Sequence, residues 1–401
     1  MKLEAEEIDA ILRSKFPYYS ILSELLKKIF VKRVRKFIKA TWYESRSDLG
    51  ITADMQVLIA ASAMQITMGF EQNYILEKIE RIIIYPKRYY SPFTKTQNIG
   101  EMNMAGILVI SWEDFLKGLD TTTDGHNVVL HESAHALQKE KLLTSISFTL
   151  AFDHIYLLYK KYSLDREAAP ELLRNYAYGN KEEFFAVGTE AYFEQTTIFQ
   201  QQDPALFFWF AMLYKQDPRK SDLSITDVQR PVRLRISATN KKIVVIKDMA
   251  WLRLLAVVVF GTACINIQVI FLLMPLALVL YRYAIRKFAS TTLYSDRIVF
   301  KSLFKERIIQ IKDLVGIKVV PSEQWSNRNK QMHYCYYYLE GNTLYSRIDY
   351  GNDRSLLGPR KEQQYMFAYL WEHHHIIIRD ERWEIVTEKG YKRRWTDWVF
   401  R

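Results

Sequence analysis

From Leu254 to Tyr281 the chain runs 28 residues without a charged side chain, and Leu, Val, Ile and Phe dominate the stretch. An uncharged apolar run of about 18 residues or more is long enough to cross a bilayer as a helix. Core helices seldom exceed about 20 residues without a polar stripe. The run therefore predicts a membrane segment over residues 251–287, with separate domains before and after it. Asn266, Gln268 and Pro275 interrupt it, so two geometries are open. One is a single tilted span. The other is a hairpin or re-entrant segment turning near Asn266, with arms of about 13 residues. Lys241, Lys242, Lys247 and Arg253 precede the run, and Arg282, Arg286 and Lys287 follow it. Basic flanks on both sides favour a hairpin with both ends cytosolic.

Charge is split along the same line. Residues 1–230 carry 28 Lys+Arg against 30 Asp+Glu, and residues 231–401 carry 28 against 15. The net charge of +11 thus comes from the second part alone, and no direct nucleic-acid binding is expected. Hydrophobic residues at 49% exclude a disordered chain. Two cysteines, Cys264 and Cys335, exclude a disulfide framework and suit a reducing compartment. Residues 1–15 are charged and amphipathic, so no secretory signal peptide is expected and the N-terminal domain is expected to face the cytoplasm.

Residues 1–225 read as one α+β domain. Helical patterns cover Ala10–Leu26, the basic stretch Lys27–Lys39, Ala53–Met68, His126–Glu140, Phe152–Tyr162 and Lys181–Glu194. Strand candidates are Ile79–Tyr85 and Gly106–Ser111. The polar segment Lys215–Val232 reads as a linker, and residues 226–250 as linker and basic flank. Residues 288–401 change to short β-branched and aromatic strands: Leu293–Phe304, Ile308–Ile311, Val315–Val320, His333–Leu339 and Thr343–Asp349, followed by a helix over Glu362–Trp371. Cys335 sits among tyrosines and reads as part of an aromatic strand rather than a nucleophile. The consecutive His373, His374 and His375 point in different directions and do not form one compact metal site. The stretch Lys27–Lys39 reads as a solvated helix face, with contact to lipid headgroups or a partner as its functional alternative.

The strongest chemical signal is H-E-x-x-H at His131-Glu132-Ser133-Ala134-His135. Residues four apart share a helix face, so both imidazoles can reach one metal ion. Neutral imidazole suits Zn²⁺, and Glu132 is placed beside the metal as a base rather than as a ligand. A hydrolytic site needs a third protein ligand and an open position. Glu183 is the best downstream candidate, with Glu190 and Glu182 as competitors that spacing alone does not eliminate.

The segments Gly125–Leu137 (GHNVVLHESAHAL) and Asn180–Gln195 (NKEEFFAVGTEAYFEQ) resemble the M90 zinc peptidases, the family of Mlc titration factor A. Ile51–Ala63, Ile82–Tyr90 and Gly106–Gly118 extend the likeness in the same order, over roughly residues 15–200. The resemblance implies a gluzincin-like domain with His131, His135 and Glu183 as zinc ligands, Glu132 as general base and Tyr176 at the site. Glu132 would take a proton from water and deliver it to the leaving amine, and Tyr176 could donate to the developing oxyanion. The strand Gly106–Ser111 could offer an edge to a peptide substrate. The chain departs from the family at Ser133, Gln138 and Thr144, and its link between the motif helix and the glutamate is shorter, which bears on substrate range. The resemblance also implies that some members sequester a transcriptional repressor. The alternative expectation is therefore a membrane-tethered binding protein that holds a transcriptional regulator.

Thr291–Val319 resembles bacterial PH-like domains, which often adjoin membrane hairpins. A small β-rich PH-like module with a basic surface is expected there, in contact with membrane lipid. The sequence as a whole thus predicts a membrane-associated zinc peptidase acting on a peptide or protein substrate.

Overall fold

Pro17 separates the first two helices. The computed structural model describes residues 3–92, 94–121, 124–140, 146–229, 242, 244–247, 290–301, 306–321, 332–341, 343–350, 361–374 and 376–379. The helical pattern expected over Ala10–Leu26 is cut twice, giving α1 (Ala5–Lys15), α2 (Pro17–Ile21) and α3 (Glu24–Ala40). Pro17 opens α2 because a first-turn position needs no N–H donor, and Ser23 caps α3 by accepting from the Leu26 N–H. The basic stretch Lys27–Lys39 lies within α3, whose Phe30, Val34 and Phe37 are buried.

The chain divides into two compact units, Met1–Pro231 and Val232–Arg401. In the first, β1 (Trp42–Ser45), β2 (Arg81–Tyr85), β5 (Gly100–Met102) and β6 (Ile107–Ser111) form a sheet in the order β1-β2-β6-β5. The hairpin β3 (Tyr89–Ser91) and β4 (Thr96–Asn98) stands apart from it. β1, β2 and β6 are parallel, and β5 runs antiparallel to β6. Gly106–Ser111 reads as a core strand by propensity, with an edge for substrate as its functional alternative. In the structure β6 is paired on both sides, and β1 and β5 are the edge strands. Alternate residues Ile82 and Ile84, then Leu108 and Ile110, point into the core.

Between β1 and β2 comes α4 (Ala53–Gln65), buried at every position from Met55 to Gln65. A helix that is apolar all round belongs at the centre, and α4 packs against α1, α3 and the motif helix α6. After α5 (Trp112–Asp120) come α6 (Val128–Gln138) and α7 (Ile146–Leu164). A 3₁₀ turn at Asn175–Tyr178 leads into α8 (Lys181–Glu194), α9 (Thr196–Gln202) and α10 (Pro204–Tyr214). Phe185, Tyr192, Phe199, Phe210 and Tyr214 interlock α8, α9 and α10, with ring centroids between 5.6 and 6.3 Å apart in their closest contacts.

The segment after α10 is not a free linker at its start. Gln216 and Asp217 are fully buried. Gln216 accepts from the Tyr18 hydroxyl at 2.7 Å and donates to the Gln65 carbonyl at 3.0 Å, which ties the segment back to α2 and α4.

In the second unit β7 (Val244–Lys247), β8 (Ser290–Leu293), β9 (Arg297–Lys301) and β10 (Glu306–Gln310) make an antiparallel meander. A second sheet holds β11 (Leu314–Pro321), β12 (Met332–Glu340), β13 (Thr343–Tyr350) and β14 (Ile377–Arg379), in the order β13-β12-β11-β14. The helix α11 (Lys361–His374) lies between β13 and β14 in sequence. Both sheets and α11 contribute to one apolar cluster that includes Phe300, Ile317, Tyr336 and Phe367.

Two expectations change here. Leu293–Phe304, read as one strand, turns through Asp296, so its first residue closes β8 and the rest begins with β9. Val244–Lys247, expected within a linker, is a strand paired with β8 across the apolar run, with Lys247 opposite Ser290. No helix among the described residues is long and apolar enough to cross a membrane. The segment expected to do so, residues 251–287, lies outside the described residues.

Candidate metal centre

The site is assembled from two buried helices, α6 along its length and α8 at its first turn. Asn127 caps α6 by accepting from the Leu130 N–H at 3.1 Å. Asn180 caps α8 by accepting from the N–H of Glu183 at 2.8 Å. Each cap satisfies an N–H that has no partner within its helix and fixes where the helix begins. α6 then presents His131 and His135 on one face, and α8 brings Glu183 to meet them.

The three side chains converge closely. Nε2 of His131 lies 3.2 Å from Nε2 of His135 and 3.1 Å from Oε2 of Glu183. Nε2 of His135 lies 3.5 Å from Oε1 of Glu183. A tetrahedral ion with ordinary nitrogen and oxygen bonds holds its ligand atoms about 3.4 Å apart. The three observed edges match that spacing, so these residues fit a divalent metal. Among the described residues, this is the group of His, Cys, Asp and Glu that could hold one.

The competitors for the third position are separated by geometry. Glu182 is exposed and points to Lys181 at 3.6 Å. Glu190 is buried but meets the other ring nitrogen of His131, with Nδ1 at 3.0 Å from its Oε2. Of the three carboxylates, only Glu183 faces both Nε2 atoms.

Electrostatics follow from burial and these contacts. Burial pushes the Glu183 carboxyl up, but contacts with His131, His135 and the Tyr176 hydroxyl outweigh it and hold the group well below the usual carboxylate range. Burial favours neutral His131, yet its hydrogen bonds to Glu183 and Glu190 raise it to about 10 in the metal-free site. Glu132 is buried beside the pair, and burial pushes its carboxyl up, which suits a group that must exchange a proton. The Met102 N–H on β5 donates to it. Strand and helix meet so closely here that a Cβ at Gly100 would collide with the Val128 side chain and lie 3.2 Å from the Glu132 carboxylate.

Tyr176 is 58% exposed and rides on the 3₁₀ turn, its ring centroid 6.2 Å from that of His131 with the planes 29° apart. Ser133 is buried in α6, and its hydroxyl has no hydrogen-bond partner. Thr144 lies outside the described residues. Sequence reasoning missed Arg174, whose guanidinium contacts both His126 and the Glu190 carboxylate. Its loop position carries no periodicity that could have marked it. His373 and His374 close α11 in the other unit, and His375 is outside the described residues.

An uncharacterized protein of Synechocystis sp. is 25% identical over 234 residues, covering 52% of this chain and 83% of the relative. Mlc titration factor A of Edwardsiella ictaluri is 23% identical over 188 residues, covering 41% of this chain and 69% of the relative. The family model described as glucose-regulated metallo-peptidase M90 matches residues 2–215, a span that holds the motif helix, the 3₁₀ turn and Glu183. The match takes in more than half of the chain, which therefore belongs to the M90 metallopeptidase family.

Proposed function

We propose that the chain is a membrane-anchored, zinc-dependent peptidase with its catalytic unit facing the cytoplasm. The observation that carries the reading is the triangle of His131, His135 and Glu183 atoms, with edges of 3.1 to 3.5 Å, beside a buried Glu132. His131, His135 and Glu183 would hold a zinc ion there, and it would supply the Lewis acidity that activates water near neutral pH. Glu132 takes the proton of the attacking water and passes it to the leaving amine, and its raised affinity for protons fits both halves of that task. Tyr176 faces the same site and donates to the carbonyl oxygen as charge builds there. The test is metal content and peptide-library cleavage by the full chain against Glu132→Gln. The variant is expected to keep one zinc per chain and lose cleavage by about a hundredfold to ten-thousandfold. A parent chain without zinc, or an unimpaired variant, refutes the reading.

The anchoring part rests on the sequence of residues 251–287 and on the strands that bracket it. Lys247 pairs with Ser290, so the chain leaves β7 and re-enters β8 about 5 Å apart. That supports a hairpin whose ends emerge on one side of the bilayer, in preference to a single span. The antiparallel meander, the mixed sheet in which β14 runs parallel to β11, and α11 are compatible with a PH-like module, and its basic surplus suits an anionic lipid surface. If the full chain stays in the soluble fraction without detergent, the anchor is refuted.

A second reading has support from the relative named Mlc titration factor A. In it, the chain holds a transcriptional regulator and cleavage is secondary. Substituting His131 and His135 by Ala separates the two. A peptidase loses its biological effect, and a binding protein retains it.

A further inference from the structure

An imidazole can give a metal only one of its nitrogens, and the other decides how well. In His131, Nε2 looks towards Glu183 and His135, and Nδ1 looks the opposite way onto Oε2 of Glu190 at 3.0 Å. Glu190 lies two helical turns beyond Glu183 on the same face of α8, and its side chain is 3% exposed. Its second oxygen accepts from the backbone N–H of Asn127 at 2.9 Å, at the start of α6. Arg174 supplies the counter-charge by donating to Oε2.

A buried carboxylate needs such donors, and here they come from three places: the α6 backbone, the α6 imidazole and the loop before the 3₁₀ turn. The consequence for His131 is specific. The Oε2 atom that accepts from Arg174 also faces Nδ1, so Nδ1 is the donor in this contact and Nε2 is the nitrogen turned to the metal position. Arg174 is two residues ahead of Tyr176, so the same pair also pins the turn that lays Tyr176 over His131.

We infer that Glu190, held by Arg174, is the positioning residue that fixes the ring orientation of His131 for metal binding, with Nδ1 turned to the carboxylate and Nε2 to the metal position. This rests on the metal-centre reading above. The Asn127 contact would suffice for a purely structural role, but a cap on α6 has no need of the His131 contact.

The experiment uses the full chain with zinc and cobalt(II) as probes, in the parent and in Glu190→Gln and Arg174→Met. A glutamine cannot accept from His131, Arg174 and Asn127 together, because one of its two positions now donates. Zinc affinity is read by competition with a chromophoric chelator, and ligand geometry by the visible spectrum of the cobalt-loaded protein. Glu190→Gln is expected to weaken zinc binding about tenfold to a hundredfold and to alter the cobalt bands. Arg174→Met, which leaves the carboxylate in place, is expected to act in the same direction and more weakly. It carries the test if Glu190→Gln does not fold. Parent affinity and parent cobalt spectrum in the folded variants overturn the positioning role alone. A parent chain that binds neither metal overturns the metal-centre reading, and this role with it.

Discussion

The Nε2 atoms of His131 and His135 face each other across 3.2 Å. Two neutral imidazoles at that distance set lone pair against lone pair, so the arrangement requires either a proton or a cation between them. With Glu183 closing the triangle, a divalent ion relieves the repulsion and stabilises the fold by mass action. Saturating zinc at a thousandfold above its Kd contributes about 4 kcal/mol, which raises the melting temperature of a unit of this size by roughly 10 °C. Calorimetry of zinc-loaded and chelator-stripped protein checks this, and coincident melting curves would contradict it.

Metal binding must also displace a proton. In the metal-free site His131 is raised from 6.5 to about 10 by Glu183 and Glu190 against the effect of burial. A histidine whose folded value is raised adds stability that is complete below about 6.5 and lost as pH climbs through about 10. The stripped protein should therefore lose stability across that window, and His131→Gln should flatten the loss. Zinc affinity should rise close to tenfold per pH unit below about 10. Titration calorimetry in buffers of different ionisation enthalpy should count about one proton released at neutral pH.

Glu194, at the end of α8, is raised to about 8, chiefly by burial, with Glu190 and Asp124 adding repulsion. One of its oxygens is buried without a hydrogen-bond partner. The sign is the reverse of an ion-paired carboxylate. The folded state prefers the protonated form, so stability present below about 4.5 declines as pH rises to about 8. Glu194→Gln should raise the melting temperature by a few degrees at pH 8 and above, with no gain near pH 4. A pH-independent effect would show that the carboxyl is not desolvated.

Gly100 allows β5 to lie against α6 at the level of Glu132. Gly100→Ala should push the strand off the helix, costing about 1–3 kcal/mol of stability. Cleavage should fall about tenfold to a hundredfold, because the Met102 N–H that holds Glu132 moves with the strand. Thermal unfolding and turnover number report the two effects separately, and turnover equal to the parent would show that β5 does not place Glu132.

The helices of the site were legible because their demands are local. H-E-x-x-H needs one helical turn, and the apolar residues around it ask for burial. Choosing Glu183 over Glu190 from spacing was not possible, since both lie on one face of α8 and only the height of α8 beside α6 separates them. The three-residue β5 is too short to show a period, so the strand that covers one side of β6 is not legible in the sequence. Leu293–Phe304 reads as one strand because its β pattern runs on through the turn at Asp296, and it is the antiparallel pairing of β8 with β9, Leu293 opposite Ile298, that reveals the split.

The pairing of Lys247 with Ser290 has a consequence for biosynthesis. β7 leaves the ribosome before the apolar run, and its partner strand only after it. The meander cannot close until the whole run has been translated, so folding of the β module waits on synthesis of everything between its first two strands. A stalled or truncated chain ending within the run would keep β7 as an unpaired edge, a template for aggregation.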